Sequence, residues 1–78
     1  MKRINCREGR MLRERRLELG LTQEQLAIEL GMSIHQYQRY EYGDHKLSNC
    51  PMKIGLRICA ALELDPFEIV FDIKEFED

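Results

Sequence analysis

This sequence predicts an all-α domain of five short helices, on three observations. Two capping boxes stand eleven positions apart, Thr22 with Gln25 and Ser33 with Gln36; in each, a hydroxyl can accept from a free helical amide while a glutamine reaches back to the cap. Apolar residues recur at i, i+3, i+4 spacing through most of the chain, and no stretch reads as a strand. The composition, 44% apolar and 33% charged with five Gly and two Pro, suits a helical globular domain rather than a disordered tail. Seventy-eight residues allow one domain with one small core.

Residues 1–8 show no period and are expected to form a basic lead. From Gly9 to Leu19, Leu12, Arg16 and Leu19 fall on one helical face. An arginine inside an apolar stripe needs a carboxylate partner, so Arg16 predicts one on another helix. Gly20 ends this helix. The second helix, Gln23 to Leu30, turns Leu26, Ala27 and Leu30 inward, and Gly31 supplies the positive φ that stops it. The third, Ile34 to Tyr42, places Tyr37, Tyr40 and Glu41 inside, which makes Glu41 the expected partner of Arg16. Ile34, His35, Gln38, Arg39 and Tyr42 point elsewhere. Two capped helices joined at a glycine form a helix-turn-helix in outline.

After Gly43, Asp44 to Cys50 read as a polar loop with His45 and Lys46 at its tip. A fourth helix is expected to begin near Pro51, with Met52, Gly55, Cys59 and Leu62 on one face, Leu56 and Ile58 beside it, and Gly55 at a close contact with another helix. Asp65-Pro66-Phe67-Glu68 is a start signal for a fifth, from Pro66 to Phe71. Residues 72–78 form an acidic tail.

The formal charge of -2 weighs against a nucleic-acid partner, but its distribution does not. Residues 1–20 carry seven basic and three acidic side chains, and residues 47–78 three basic and seven acidic, so the molecule is dipolar and can orient in the field of DNA. Cys6, Cys50 and Cys59 follow no disulfide or metal spacing, and neither they nor His35 and His45 form a metal set. No metal or other cofactor is expected, and a reducing cytoplasm is the simplest location. No apolar run approaches a membrane span. No Ser, Cys or His has the supporting base that nucleophilic catalysis requires, so no enzyme is expected.

Arg16, the segment Gly20-Leu21-Thr22-Gln23, Leu26-Ala27, Gly31, Ser33, the run Gln36-Tyr37-Gln38-Arg39-Tyr40-Glu41 and the closing Gly43 together resemble the phage repressor and Cro family of helix-turn-helix domains, also called the Xre family. The resemblance covers roughly residues 9–71. It departs at Asp44, where the family often has a basic residue, in a loop about three residues longer, and at Ile34, where the family has a polar one. It implies a lambda-repressor-like domain and a buried Arg16–Glu41 pair. It also implies a transcriptional regulator, repressor-like, whose third helix enters the major groove of double-stranded DNA. In that mode Gln23 and Ser33 meet phosphates. Arg39 reads guanine, His35 and Gln38 meet a base or a phosphate, and Ile34 meets a thymine methyl. Tyr42, His45 and Lys46 are placed for backbone contacts. A homodimer is expected, through Phe67, Val70, Phe71, Ile73 and Phe76. The alternative, from another class, is a protein-interaction module with the same fold, such as an antitoxin component.

Overall fold

The computed structural model describes residues 7–70, which fold into five α-helices and one 3-10 turn. α1 spans Arg7–Glu18, α2 Gln23–Leu30, α3 Ile34–Tyr42, α4 Met52–Leu62 and α5 Pro66–Val70; the 3-10 turn, Leu47–Asn49, lies between α3 and α4. No strand occurs among the described residues. The all-α class predicted from the sequence is therefore the observed one.

α2 and α3 occupy the residues that the capping boxes predict. Thr22 Oγ1 accepts from the Gln25 amide at 3.0 Å while Gln25 Oε1 accepts from the Thr22 amide at 2.9 Å. Ser33 and Gln36 repeat the exchange, both bonds at 3.1 Å. Each cap hydroxyl contributes about 1 kcal/mol. Gly31 (φ 75) and Gly43 (φ 89) end the two helices in the left-handed conformation.

One core joins the elements: Leu12 of α1, Leu26, Ala27 and Leu30 of α2, Tyr37 and Tyr40 of α3, Ile58, Cys59 and Leu62 of α4, and Ile69 of α5. Tyr37 is fully buried, so the aromatic residues of α3 pack inward as expected. α1 and α2 both lie against α3, which leaves one side of α3 to solvent.

Four expectations need correction. α1 begins at Arg7, two residues before Gly9, and the Glu8 carboxylate accepts from the Leu47 amide at 2.9 Å, which ties the start of α1 to the 3-10 turn. The segment from Asp44 to Cys50 is not wholly a polar loop, because Leu47 within it is buried. Pro51 is the residue before α4 rather than its first. Of the expected α4 face Cys59 and Leu62 are buried, but Ile58 joins them and Met52 is 77% exposed, so the inner face lies closer to Ile58.

Gly55 is also reassigned. A Cβ there would stand 3.3 Å from Cys50 Sγ and 4.0 Å from Leu47, so it faces the 3-10 turn and not a helix. Close helix approach occurs instead at Gly9, where a Cβ would collide with the Glu41 carbonyl oxygen and stand 2.8 Å from its carbon. The end of the predicted fifth helix at Phe71 and the tail 72–78 lie outside the described residues, as do Lys2, Arg3 and Cys6.

Three helices end on arginines. Arg7 donates to the carbonyls of Glu68 and Ile69 at 3.1 and 2.8 Å, Arg15 to that of Leu62 at 2.9 Å, and Arg57 to that of Leu30 at 3.4 Å. Cations at C-termini satisfy the unpaired carbonyls and oppose the helix dipole. At α4 this matters most. Its cap is Glu63 at φ 56, a conformation that costs a non-glycine residue about 1–2 kcal/mol, and Arg15 reaches both Leu62 O and, at 3.3 Å, the Glu63 carboxylate.

Candidate nucleic-acid interface

The site is organised by a buried polar cluster behind α3. Arg16 Nε donates to Glu41 Oε2 at 2.6 Å and Nη2 to Oε1 at 3.4 Å, with both residues buried. Arg16 Nη1 also donates to Leu21 O at 2.8 Å, at the entry to α2. Tyr37 Oη donates to Glu41 Oε2 at 2.6 Å, and Gln23 Nε2 to Glu41 Oε1 at 2.9 Å. The pair expected from the sequence therefore forms, and each Glu41 oxygen holds two donors. Among the described residues no buried side-chain nitrogen or oxygen lacks a partner. The cluster joins α1, the start of α2 and the end of α3, which fixes how the two helices of the turn cross.

Protonation follows from this packing. Burial by itself would lower the Arg16 pKa, but the hydrogen bond and charge of Glu41 outweigh it and the guanidinium is held above its usual value. Burial, then the hydrogen bond and charge of Glu41, push the Tyr37 phenol far above its ordinary 10.0. Below about pH 10 Tyr37 is protonated in both folded and unfolded chains. Above that the unfolded chain releases the proton and the folded one keeps it, so stability falls as pH rises, by about 1.4 kcal/mol per unit for this group. Urea unfolding between pH 9 and 11 is expected to show the loss, less steeply in Tyr37→Phe. Tyr40 and the Cys50 and Cys59 thiols, all raised by burial, act in the same direction and contribute to the slope that remains.

The solvent side of α3 carries His35, Gln38, Arg39 and Tyr42, spaced i, i+3, i+4, i+7. His35 and Arg39 are exposed, and Gln38 and Tyr42 half-buried. Gln38 Nε2 donates to Gln23 Oε1 at 2.9 Å, so this stripe is wired to the buried cluster through α2. Ser33 is exposed and serves as the cap of α3, whereas Ile34 is half-buried and packs against the core. His45 and Lys46 are exposed beyond the end of α3. The His45 amide donates to Arg39 O at 3.1 Å and its ring lies 5.7 Å from that of Tyr40, so the loop folds back on the helix. Thus α3 brings His35, Gln38, Arg39 and Tyr42 to one side, His45 and Lys46 lie with Tyr40 in the loop beyond its end, and the Gln23 side chain is engaged inside.

A helix-turn-helix domain model matches residues 9–69. The chain belongs to the helix-turn-helix domain family. No curated protein and no solved structure gives a match. Membership makes this a DNA-binding domain of the kind that regulates transcription, in keeping with the resemblance read from the residues.

In a helix-turn-helix domain cationic side chains usually find phosphates, yet here much of the N-terminal basic surplus works inside the fold. Arg7, Arg15 and Arg16 donate to the protein's own carbonyls and carboxylates. That correction has no local sequence signal, since an arginine that caps a distant helix looks like any other. The Gln23–Gln38 bond likewise has no signal in the sequence, because it joins residues fifteen positions apart on two helices. No group of three or more His, Cys, Asp or Glu among the described residues is placed to hold a metal, and burial pushes the Cys50 and Cys59 thiols up. No helix among the described residues is long and apolar enough to cross a membrane.

Proposed function

We propose that this domain is a sequence-specific, repressor-like transcriptional regulator that binds double-stranded DNA as a homodimer in the cytoplasm. α3 lies in the major groove with its stripe toward base edges, while α2 crosses the phosphate backbone. The observation that carries this reading is that His35, Gln38, Arg39 and Tyr42 share the solvent side of α3 while the Arg16–Glu41 pair anchors the opposite side. Gln23 and Ser33, at the starts of α2 and α3, meet phosphates through the free amides of those first turns, with the remaining Gln23 side-chain N–H and the Ser33 hydroxyl hydrogen beside them. Tyr42, His45 and Lys46 follow the backbone past α3, and Ile34 offers its exposed part to a thymine methyl. We assign no catalytic role.

One such domain makes few base contacts, and two copies on a two-fold site supply the rest. The second copy has a face to use. An apolar groove of about 410 Å³ runs between the 3-10 turn, α4 and α5, lined by Leu47, Met52, Leu56 and Val70. Phe67 on its edge is 68% exposed.

Arg39→Ala is expected to weaken binding to a duplex selected from a random pool by about 1–3 kcal/mol per half-site and to relax the preference for guanine at one position. Gel shifts at several salt concentrations measure it, and equal binding by both proteins would remove Arg39 from the reading set. The apolar groove equally favours the second reading, a protein-interaction module such as an antitoxin component. That reading predicts no enriched sequence in the pool and a shallow salt dependence.

A further inference from the structure

The hydrogen bonds behind α3 form a chain whose direction is fixed at one end. Glu41, paired with the Arg16 guanidinium, is a carboxylate and only accepts. Gln23 must therefore face it with its NH2 group, as it does at 2.9 Å. The Gln23 carbonyl oxygen is then the atom that faces Gln38, and a carbonyl also only accepts. Gln38 must answer with its own NH2 group, again at 2.9 Å. A side-chain amide in isolation can turn over and exchange its donor and acceptor ends. Here neither glutamine can turn without setting oxygen against oxygen, first at Gln38 and finally at Glu41.

The consequence falls on the α3 stripe. With one hydrogen of its NH2 group committed to Gln23, Gln38 retains one N–H and a carbonyl oxygen with both lone pairs, so acceptor capacity outweighs donor capacity in what it can offer. We propose that the buried Arg16–Glu41 pair, acting through Gln23, presets Gln38 as a hydrogen-bond acceptor and so makes it select a base with a major-groove amino group. Adenine N6 and cytosine N4 donate there, whereas guanine O6 and thymine O4 only accept. Gln23 is thus a positioning residue for specificity in addition to any phosphate contact, and the two roles separate cleanly. A lost phosphate contact lowers affinity for every sequence alike, while a lost polarity lowers discrimination at one position.

The inference rests on the proposed reading of DNA by α3, and the experiment tells failure of one from failure of the other. Selection from a random duplex pool is run with the wild-type chain and with Gln38→Ala, Gln23→Met and Arg39→Ala. The position whose preference disappears in Gln38→Ala is expected to favour adenine or cytosine about fivefold in the wild type, the effect of one hydrogen bond. In Gln23→Met that bias is expected to shrink to within about twofold as the Gln38 amide becomes free to turn. The position lost in Arg39→Ala should keep its preference in Gln23→Met. A bias unchanged in Gln23→Met, or no position lost in Gln38→Ala, overturns the preset while leaving base reading by α3 intact. A wild-type pool with no enriched sequence overturns both. A measurement without DNA or mutation guards against misfolding: in the free protein, the Gln38 side-chain amide protons should give NMR cross-peaks to the Gln23 side chain. Absence of those cross-peaks in the folded protein also overturns it.

Discussion

Glu41→Ala is expected to lower the unfolding free energy by about 3–5 kcal/mol, because removing one partner of a buried ion pair strands the other. Arg16, buried against α2 and α3, would keep only its bond to Leu21 O. Tyr37 and Gln23 would lose an acceptor at the same time. In a domain of this size a loss of about 4 kcal/mol lowers the melting temperature by roughly 15–30 °C, and it is a large share of the roughly 5–15 kcal/mol that holds a typical domain folded. Thermal unfolding followed by circular dichroism measures it. A shift below about 5 °C would mean that the cluster is solvated and the pair contributes like an exposed one. The double variant Arg16→Met with Glu41→Leu should recover part of the loss, since two apolar side chains leave no charge unpaired. That variant would also lack the fixed end of the hydrogen-bond chain, so stability and discrimination at the Gln38 position should part company in it.

What could be read in the sequence was whatever acts locally or by exclusion. Thr22, Ser33, Gly31 and Gly43 announce helix ends through their own neighbours, and α2 and α3 accordingly fall where the caps place them. Arg16 was legible because a guanidinium in an apolar stripe demands a carboxylate, and Glu41 was an acid on an inward face. Contacts between distant segments were less legible. Nothing near Arg7 or Arg15 in sequence says that they close α5 and α4, and nothing near Glu63 says that a glutamate will take the left-handed position usually given to glycine. Of the α4 face expected from the sequence, Cys59 and Leu62 are buried and Met52 is not, because apolar residues surround the helix. Ile58, Cys59 and Leu62 were buried by the position of α1 and α2, leaving Met52 and Leu56 exposed, and periodicity alone does not choose between those faces. Within the site, the stripe on α3 was legible as residues left off the inner face. The Gln23–Gln38 bond that orders it was not, since it depends on the crossing of α2 and α3.

Gly9 shows the same division and carries the second large effect. A glycine inside a helix ordinarily costs about 1 kcal/mol relative to alanine, so Gly9→Ala would be expected to stabilise α1 if propensity alone decided. Packing reverses the sign. The added methyl would meet the Glu41 carbonyl and stand 3.1 Å from the Tyr40 oxygen, and both obstacles are backbone atoms of α3 that cannot turn aside as a side chain can. Relief requires α1 to move off α3, which stretches the Arg16–Glu41 bonds beneath. A clash of this kind costs about 3 kcal/mol, so the net loss should be about 2 kcal/mol or more. Gly55→Ala is the control: its nearest obstacle is a cysteine sulfur that can rotate, and the helix gain should leave stability unchanged or up to about 1 kcal/mol higher. Urea midpoints of the two variants are expected to move in opposite directions, or the Gly9 variant alone to fall. If Gly9→Ala matched the wild type, α1 would not be seated on α3 as described, and the buried cluster could not hold the α3 stripe at a fixed angle.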